Sequence, residues 1–519
     1  MSKVNSGETP FPSIWTTASL GEFGSWYGGG TPSKANPSFW KGLIPWVSPK
    51  DMKTHVITQS EDHISQEAIE NSSTRLVPAG AVLLVTRSGI LEHTLPVALA
   101  GIPVTLNQDL KALVPHAGID SNYTALALRS HAWRILQSCS KAGTTVASID
   151  FERLKEFELP LPPTNEQRRI VSKLESLLAR SRRAKETLNA IPALLERFRQ
   201  SVLASAFRGD LTADWRAQHP DVAPASNLLE RIRAERRRRW EEAELEKIRA
   251  KGKPPKNEAW KIAYEEPVSP NPSQLPELPN NWCWASLGEL TEFVTSGSRG
   301  WADFYSDTGP TFLRVGNLDR HTIDLDLREL SHVVPPEGAE GTRTKAAYGD
   351  ILISITADVG MVGVVPEGLG DAYVNQHIAL CRPLPMINVR ALAYALTDPK
   401  GLQKIVREIQ YGATKASLSL IQVRNLPVPL PPLAEQAALA SRLDSALAVV
   451  KRVEQQITEL SARQQALDEA VLAKAFRGEL VPQDPNDEPA SVLLERLRAE
   501  REASDGSTPK RSRGRRPAA

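Results

Sequence analysis

The sequence predicts an α/β protein of two mixed α/β domains joined by a long antiparallel two-helix coiled coil, with an internal pseudo-two-fold repeat. Three observations predict it. Leu159-Pro-Leu-Pro-Pro-Thr-Asn-Glu166-Gln167 returns as Val428-Pro-Leu-Pro-Pro-Leu-Ala-Glu435-Gln436, with the two glutamates 269 positions apart. Ala206-Phe207-Arg208-Gly209-Asp210-Leu211 returns as Ala475-Phe476-Arg477-Gly478-Glu479-Leu480 at the same spacing, so nothing is gained or lost between the markers. Between them the apolar residues change from strand-like runs to steps of three and four, the period of a coiled-coil seam.

Each half opens on a tryptophan and the same pentapeptide, Trp15…Ala18-Ser19-Leu20-Gly21-Glu22 and Trp282…Ala285-Ser286-Leu287-Gly288-Glu289. Short apolar runs broken by Gly and Pro follow. Gly80-Ala-Val-Leu-Leu-Val-Thr86 aligns with Gly349-Asp-Ile-Leu-Ile-Ser-Ile-Thr356, and both read as buried strands by length and branched content. Asn107-Gln108-Asp109 matches Asn375-Gln376-His377, where the side-chain amides are expected to close turns. Gly143-Thr144-Thr145 matches Gly412-Ala413-Thr414. The expected boundaries are 10–158 for the first domain, 159–250 for the first helical region, 251–281 for a Pro-rich linker, 282–427 for the second domain, 428–503 for the second helical region and 504–519 for a disordered basic tail.

The seam of the first helix is read at Ile170, Leu174, Leu177, Ser181, Ala184, Leu188, Ile191, Leu195, Phe198 and Val202. In the second it falls at Leu439, Leu443, Ala446, Val450, Val453, Ile457, Leu460, Gln464, Leu467 and Val471. About 40 residues at ~1.5 Å each give a rod of roughly 60 Å. Antiparallel pairing with Ile170 opposite Val471 sets small Ser181 and Ala184 against Leu460 and Ile457, which fills the seam better than a parallel pairing. Pro192 is expected to kink the first helix.

Composition narrows the function. The 519 residues exceed one ordinary core and are 41% hydrophobic and 24% charged, a globular balance. The net charge of +2 requires any positive field to be local. Arg236–Arg239 and the 510–516 run are clustered, although a solvated face or a loose tail is their ordinary meaning. Cys139, Cys283 and Cys381 are odd in number and far apart, without a metal spacing, which fits a reducing cytoplasm. The start of the chain has no signal-peptide pattern and no apolar run nears the roughly 20 residues of a membrane helix, so a soluble cytoplasmic protein is expected.

Catalytic signatures are wanting. The sequence holds no Walker loop, no GxGxxG after a strand, no HExxH, and no Asn- or Asp-Pro-Pro-aromatic tetrapeptide of amino-methyltransferases. Pro220-Asp221 has no acidic-x-Lys downstream. No catalytic residue, metal site or cofactor is assigned to the chain. Candidate DNA-binding residues sit where strands end in polar loops: Thr31, Ser33, Lys34, Lys50, Thr86, Arg87, Ser88, Lys141, Thr144, Ser298, Arg299, Arg314, Asn317, Thr356 and Lys415. Arg and Lys suit guanine edges or phosphates, and Asn suits adenine.

The Leu-Pro-x-Pro-Pro-x-x-Glu-Gln entry to a long helix, its partner copy, the two Phe-Arg-Gly exits and the duplicated halves closely resemble the specificity subunit of type I restriction–modification enzymes. Ile44-Pro45-Trp46-Val47-Ser48-Pro49-Lys50-Asp51-Met52 also resembles the opening of that family's target recognition domains. The resemblance implies that each domain reads one half of a split double-stranded DNA sequence. It also implies that the helices act as a ruler and dock two modification subunits, which carry S-adenosylmethionine and methylate adenine. Restriction subunits, using ATP and Mg, complete the complex, and no membrane is involved. Thr356-Ala357-Asp358 departs from Thr86-Arg87-Ser88-Gly89 in lacking the arginine. Two other readings, a coiled-coil adaptor for proteins and a self-sufficient methyltransferase or nuclease, remain to be separated from this one by experiment.

Overall fold

The computed structural model describes residues 11–506 except 142, 144, 253–254, 256, 298–299, 336–337, 400 and 411–416. The chain divides into two compact units. One joins the chain up to Asn189 with the chain from Thr458 onward, and the other is Ala190–Ile457. Each unit therefore holds one α/β domain, the start of one long helix and the end of the other.

The first domain contains β1 Thr16–Ser19, β2 Gly24–Gly28, β3 Ile44–Val47, β4 Val56–Ile57, β5 Asp62–Ile64, β6 Val82–Val85, β7 Val97–Ala100, β8 Thr105–Leu106, β9 Leu110–Pro115 and β10 Glu158–Leu161. Its main sheet has the order β2-β9-β6-β7-β4, antiparallel except for β4 beside β7. All four residues of β6 are buried, which explains its unbroken apolar sequence: both faces are covered, so the strand has no reason to alternate. A smaller sheet, β5-β3-β8, pairs β3 antiparallel with β5 and parallel with β8.

The second domain contains β11 Cys283–Ser286, β12 Thr291–Ser296, β13 Tyr305–Leu313, β14 Ser331–Val333, β15 Lys345–Ala346, β16 Ile351–Ser354, β17 Val362–Val364, β18 Ala372–Val374, β19 Ile378–Pro383 and β20 Pro427–Leu430. Its main sheet, β12-β19-β16-β17, repeats the order β2-β9-β6-β7 with the same antiparallel senses. In its other sheet β13 pairs antiparallel with β14 and parallel with β18, as β3 does with β5 and β8. The two domains share one topology.

The helices used below are α1 Ser121–Ser130, α2 Thr164–Phe207, α3 Ala225–Ala250, α4 Val389–Thr397, α5 Leu433–Phe476 and α6 Ala490–Gly506. Both long helices have 44 residues. Residues 159–161, expected to open the helical region, instead form β10, with Leu161 opposite Thr16 in β1. Likewise Val428 pairs with Ala285 in the β11–β20 clasp. The prolines that follow each strand end it and start the helix three residues on.

The helices run antiparallel in both units. In the first, Ile170, Val171 and Leu174 share a core with Val471, Leu472, Ala475 and Phe476, and the Gln464 amide donates to the Ser181 hydroxyl at 3.0 Å. In the second, Leu203, Ala206 and Phe207 share a core with Leu439 and Leu443, while Arg199 reaches Glu454 at 3.1 Å. Gln464 thus meets Ser181, one turn from its expected neighbour Leu177. Seam burial varies along the pair, with Val450 fully buried well inside its helix and Leu467, nearer an end, exposed. Ile170, Leu174, Leu439 and Leu443 are fully buried; Leu188, Ile191, Leu195, Val453 and Ile457 are half-buried. Leu460, at 48% exposed, and Phe198, also 48%, correct the expected seam: a lone helix pair cannot enclose side chains that no domain covers. Helix α2 runs on through Pro192.

The duplicated motifs anchor helix to domain. Glu166 Oε2 accepts the Trp15 indole N–H at 2.9 Å and Oε1 accepts the Gln483 amide at 2.6 Å. Glu435 Oε2 accepts the Trp282 indole at 2.9 Å, and Oε1 accepts Thr212 at 2.6 Å and Arg216 at 2.5 Å. The neighbouring Gln167 accepts the backbone N–H of Asp120, the residue capping α1, at 2.7 Å; Gln436 accepts that of Asn388, capping α4, at 2.9 Å. Both Glu-Gln pairs are buried, so each polar group must find such a partner.

Each long helix ends at a left-handed glycine, Gly209 (φ +85°) and Gly478 (φ +79°). A Cβ there would come within 2.3 Å of Pro279 and 2.5 Å of Pro12 respectively. The helix that follows packs on the domain already in its unit. Arg498 of α6 donates to Glu22 at 2.8 Å, and Arg233 of α3 donates to Glu289 at 2.9 Å. Those glutamates also accept the backbone N–H of Ser19 and Ser286, which accounts for the repeated Ser-Leu-Gly-Glu. Most described residues of the expected linker 251–281 are exposed, while Trp260 stacks on Trp240 of α3 and Tyr264 meets it at a tilt. The expected tail lies largely outside the described residues.

Candidate nucleic-acid interface

The loop that leaves β6 is held on both sides. The Thr86 and Arg87 N–H groups donate to the Asp109 carbonyl at 2.8 and 3.2 Å. Ile149 donates to the Thr86 carbonyl at 2.8 Å, and Ser88 donates to the Ala147 carbonyl at 3.0 Å. Asn107 closes the adjoining turn, its Oδ1 accepting the Asp109 N–H at 3.0 Å. Pro49, Arg87, Ser88, Gln108, Asp109 and Val146 line one open cleft. The 29–34 segment crosses this turn closely: a Cβ on Gly29 would lie 1.7 Å from the Asn107 carbonyl oxygen, and the Thr31 hydroxyl donates to the Gln108 side chain.

The second domain repeats this frame with other side chains. Ile355 donates to the His377 carbonyl at 2.9 Å, and Leu418 donates to the Ile355 carbonyl at 2.8 Å. Arg87 bridges to Ser148 and Thr356 to Ser417. The equivalent of Thr86 is therefore Ile355, and the equivalent of Arg87 is Thr356, one position from the alignment drawn on sequence. Asn375 closes its turn as Asn107 does, its Oδ1 accepting the His377 N–H at 3.1 Å. The Gln376 amide nitrogen lies 3.1 Å from His377 Nε2, and Nδ1 of the same ring meets the Thr356 hydroxyl. Gly297 again lies against the turn, 2.1 Å from the Val374 carbonyl for an added Cβ. Ala357 beside it has φ +64°, the sole non-glycine of positive φ among the described residues. Such strain is held only where surrounding bonds impose it.

The expected contact residues separate into three groups. Ser33, Lys34, Arg87, Lys141 and Arg314 are exposed, and Thr31 is exposed beside Gln108. Ser88 and Thr356 are half-buried at the mouths of their loops. Thr86 and Asn317 are occupied inside the fold, which corrects their reading as free donors, and Lys50 is exposed with its ammonium in surface ion pairs. Thr86 is buried with its hydroxyl on the Asp109 carbonyl at 3.1 Å. Lys50 forms ion pairs with Glu61 and Asp62, both at 3.0 Å. Asn317 is buried and donates to the carbonyls of Asp326 and Glu329 at 2.9 and 3.2 Å. Thr144, Ser298, Arg299 and Lys415 lie outside the described residues.

The arginine run of α3 is structural. Arg236 donates to the Thr291 carbonyl and the Tyr264 hydroxyl, and Arg239 pairs with Glu235 and Glu292. Arg237 and Arg238 pair along the helix with Glu241 and with Glu235 and Glu242. Sequence reasoning undervalued Gln108: turn closure falls to the asparagine before it, which leaves this glutamine exposed in the cleft, whereas Gln376 is half-buried against His377. The signal was present in the polar Asn-Gln pair, since one amide suffices to close a turn.

Among the described residues no helix is long and apolar enough to cross a membrane, and no group of three or more His, Cys, Asp or Glu could hold a metal.

The sequence model described as the type I restriction modification DNA specificity domain matches residues 12–193 and 337–461, more than half of the chain. The specificity subunit of the type I restriction enzyme EcoR124I/EcoR124II of Escherichia coli is 49% identical over 162 residues, 31% of this chain and 40% of that relative. The EcoBI specificity subunit of Escherichia coli is 28% identical over 385 residues, 72% of this chain and 71% of the relative. The fold is shared with a chain solved in work on complex assembly and conformational transition of the type I R-M system (TM-score 0.64, 20% identity, 91% of this chain and 100% of that one). It is also shared with the HsdS subunit from Thermoanaerobacter tengcongensis (TM-score 0.53, 20% identity, 92% and 100%). With that model matching more than half of a chain built of twin domains on twin helices, the chain belongs to the family of type I restriction–modification DNA specificity subunits.

Proposed function

We propose that this specificity subunit recognises an asymmetric bipartite target in double-stranded DNA, each domain reading one half, and that it docks modification and restriction subunits without performing chemistry itself. One observation carries the reading: the same loop frame presents Arg87, Gln108 and Asp109 in one domain and Thr356, Gln376 and His377 in the other. Two like domains with unlike side chains at equivalent positions would read unlike sequences. The paired 44-residue helices would set the spacing of the half-sites, which on one DNA face lie about one helical turn, ~34 Å, apart. The described residues 490–503 and 225–250 would belong with the helical scaffold, and the two domains with the DNA.

In this reading the chain carries no cofactor of its own. S-adenosylmethionine belongs to the modification subunits, into whose pocket an adenine is flipped, and ATP with Mg belongs to the restriction subunits. The thiols here are poor nucleophiles, because burial pushes Cys139 and Cys381 up and Cys283 up to about 11, keeping them protonated. Footprinting the chain together with modification subunits tests the proposal. Two protected blocks separated by an exposed spacer are expected, with affinity falling as salt rises. One continuous block, binding to protein alone, or methyl transfer by the purified chain without partners would overturn it.

A further inference from the structure

The superposable loop frames allow the reading positions to be assigned more narrowly, an inference that rests on the bipartite reading above. We infer that Arg87 with Asp109 specifies a G·C pair in the half-site of the first domain, and that Thr356 with His377 occupies the same reading position in the second domain as a guanine-indifferent pair without a guanidinium. The equivalence is set by main-chain bonds rather than by sequence. The residue before each reader accepts from Ile149 or Leu418, donates to the carbonyl of Asp109 or His377, and the reader itself bridges to Ser148 or Ser417.

Within this frame the two pairs differ in the property that base edges test. Arg87 is exposed, lines the cleft, and among the described residues its guanidinium has no ion-pair or hydrogen-bond partner. That separates it from Lys50, whose charge is taken by Glu61 and Asp62, and from the α3 arginines held by glutamates. A free guanidinium fork matches guanine O6 and N7. Asp109 lines the same cleft; its Oδ2 accepts the Asn107 amide at 3.2 Å, and a carboxylate has acceptor capacity left for a cytosine amino group. Arg87 and Asp109, lining one cleft, therefore offer the donors and acceptor that a G·C pair requires. In the second domain the Gln376–His377–Thr356 chain is closed on itself and carries no fork. Gln108 and Gln376 are common to both frames, so they do not distinguish the half-sites.

The test uses the full chain expressed with its modification subunits, with methylated adenines mapped by sequencing. R87T is expected to relax one guanine position in one half-site by about tenfold or more while every other position keeps its preference. T356R is expected to create a guanine preference at one position of the other half-site. Melting temperature should be unchanged in R87T, since its side chain holds nothing in the fold. An unchanged motif in both folded variants would overturn the assignment, as would a uniform loss of methylation without altered sequence, the mark of a phosphate contact. Exchange of the whole segment 10–158 keeps the two levels apart: if that exchange alters one half-site and R87T does not, the assignment fails and the bipartite reading stands.

Discussion

Glu166 and Glu435 occupy the same place in the two copies but hold different partners, and that difference has an energetic consequence. Glu435 is fully buried and accepts from the Arg216 guanidinium as well as from Trp282 and Thr212, so Glu435→Ala would leave a part-buried cation unpaired. Among the described residues Glu166 accepts from neutral donors, Trp15 and Gln483. Removing one partner of a buried ion pair costs roughly 3–5 kcal/mol, and stranding neutral donors about 1–3 kcal/mol. Denaturant melting should therefore show the larger loss for Glu435→Ala. Asp487 adds a pH dependence. The Arg169 side chain, 2.6 Å away, holds its carboxyl below the usual value. A depressed carboxylate contributes stability that is complete above its unfolded pKa, about 4, and is lost as pH falls through the lower folded value. Asp487→Asn should lower the melting temperature at pH 7 and flatten its fall below pH 4. The Glu-Gln motif was legible in the sequence as a repeat. Its partners were not, because Trp15 and Glu166 are joined across 151 residues by contact alone.

At the scale of elements, the helices were legible and their register was not. Periodicity identifies which face is apolar, but Gln464 bonds to Ser181 because a long amide can satisfy a neighbour one turn along. Void-filling assumes a seam enclosed throughout, whereas burial is patchy: Leu174, Leu443 and Val450 are buried, and Phe198, Leu460 and Leu467 are exposed. Leu439→Asp should accordingly abolish folding of its unit, since it buries an unpaired charge. Leu460→Asp should be tolerated; if it unfolds the chain, the middle of the pair is better packed than its exposure shows. Pro192 withholds an N–H from the helix that surrounds it. Pro192→Ala is expected to raise the melting temperature, by up to about 3 kcal/mol of stability. A decrease would show that the proline fits a bend the helix requires. The strands β6 and β16 were read correctly as buried, while the one-residue error in aligning the loops beyond them arose from matching threonine with threonine. Backbone pairing, which obeys the frame and not residue type, set it right.

At the scale of the molecule, duplication was the most legible property, because identical spacing across 269 residues leaves few folds that could use it. What the sequence could not show is that each unit combines one domain with the opening of one long helix and the closing of the other. That arrangement depends on Arg498 finding Glu22 and Arg233 finding Glu289, contacts that local pattern cannot reveal. If the helices set the half-site spacing, inserting one heptad into both α2 and α5 should change the spacer of the methylated target and leave both half-sequences intact. An unaltered spacer would remove the ruler from the account. The most direct test of the central claim exchanges residues 10–158 for the corresponding domain of another specificity subunit and maps the methylated adenines with modification subunits present. Two unlike readers on a common frame predict that one half of the target changes and the other half is retained; a change in both halves, or in neither, would contradict it.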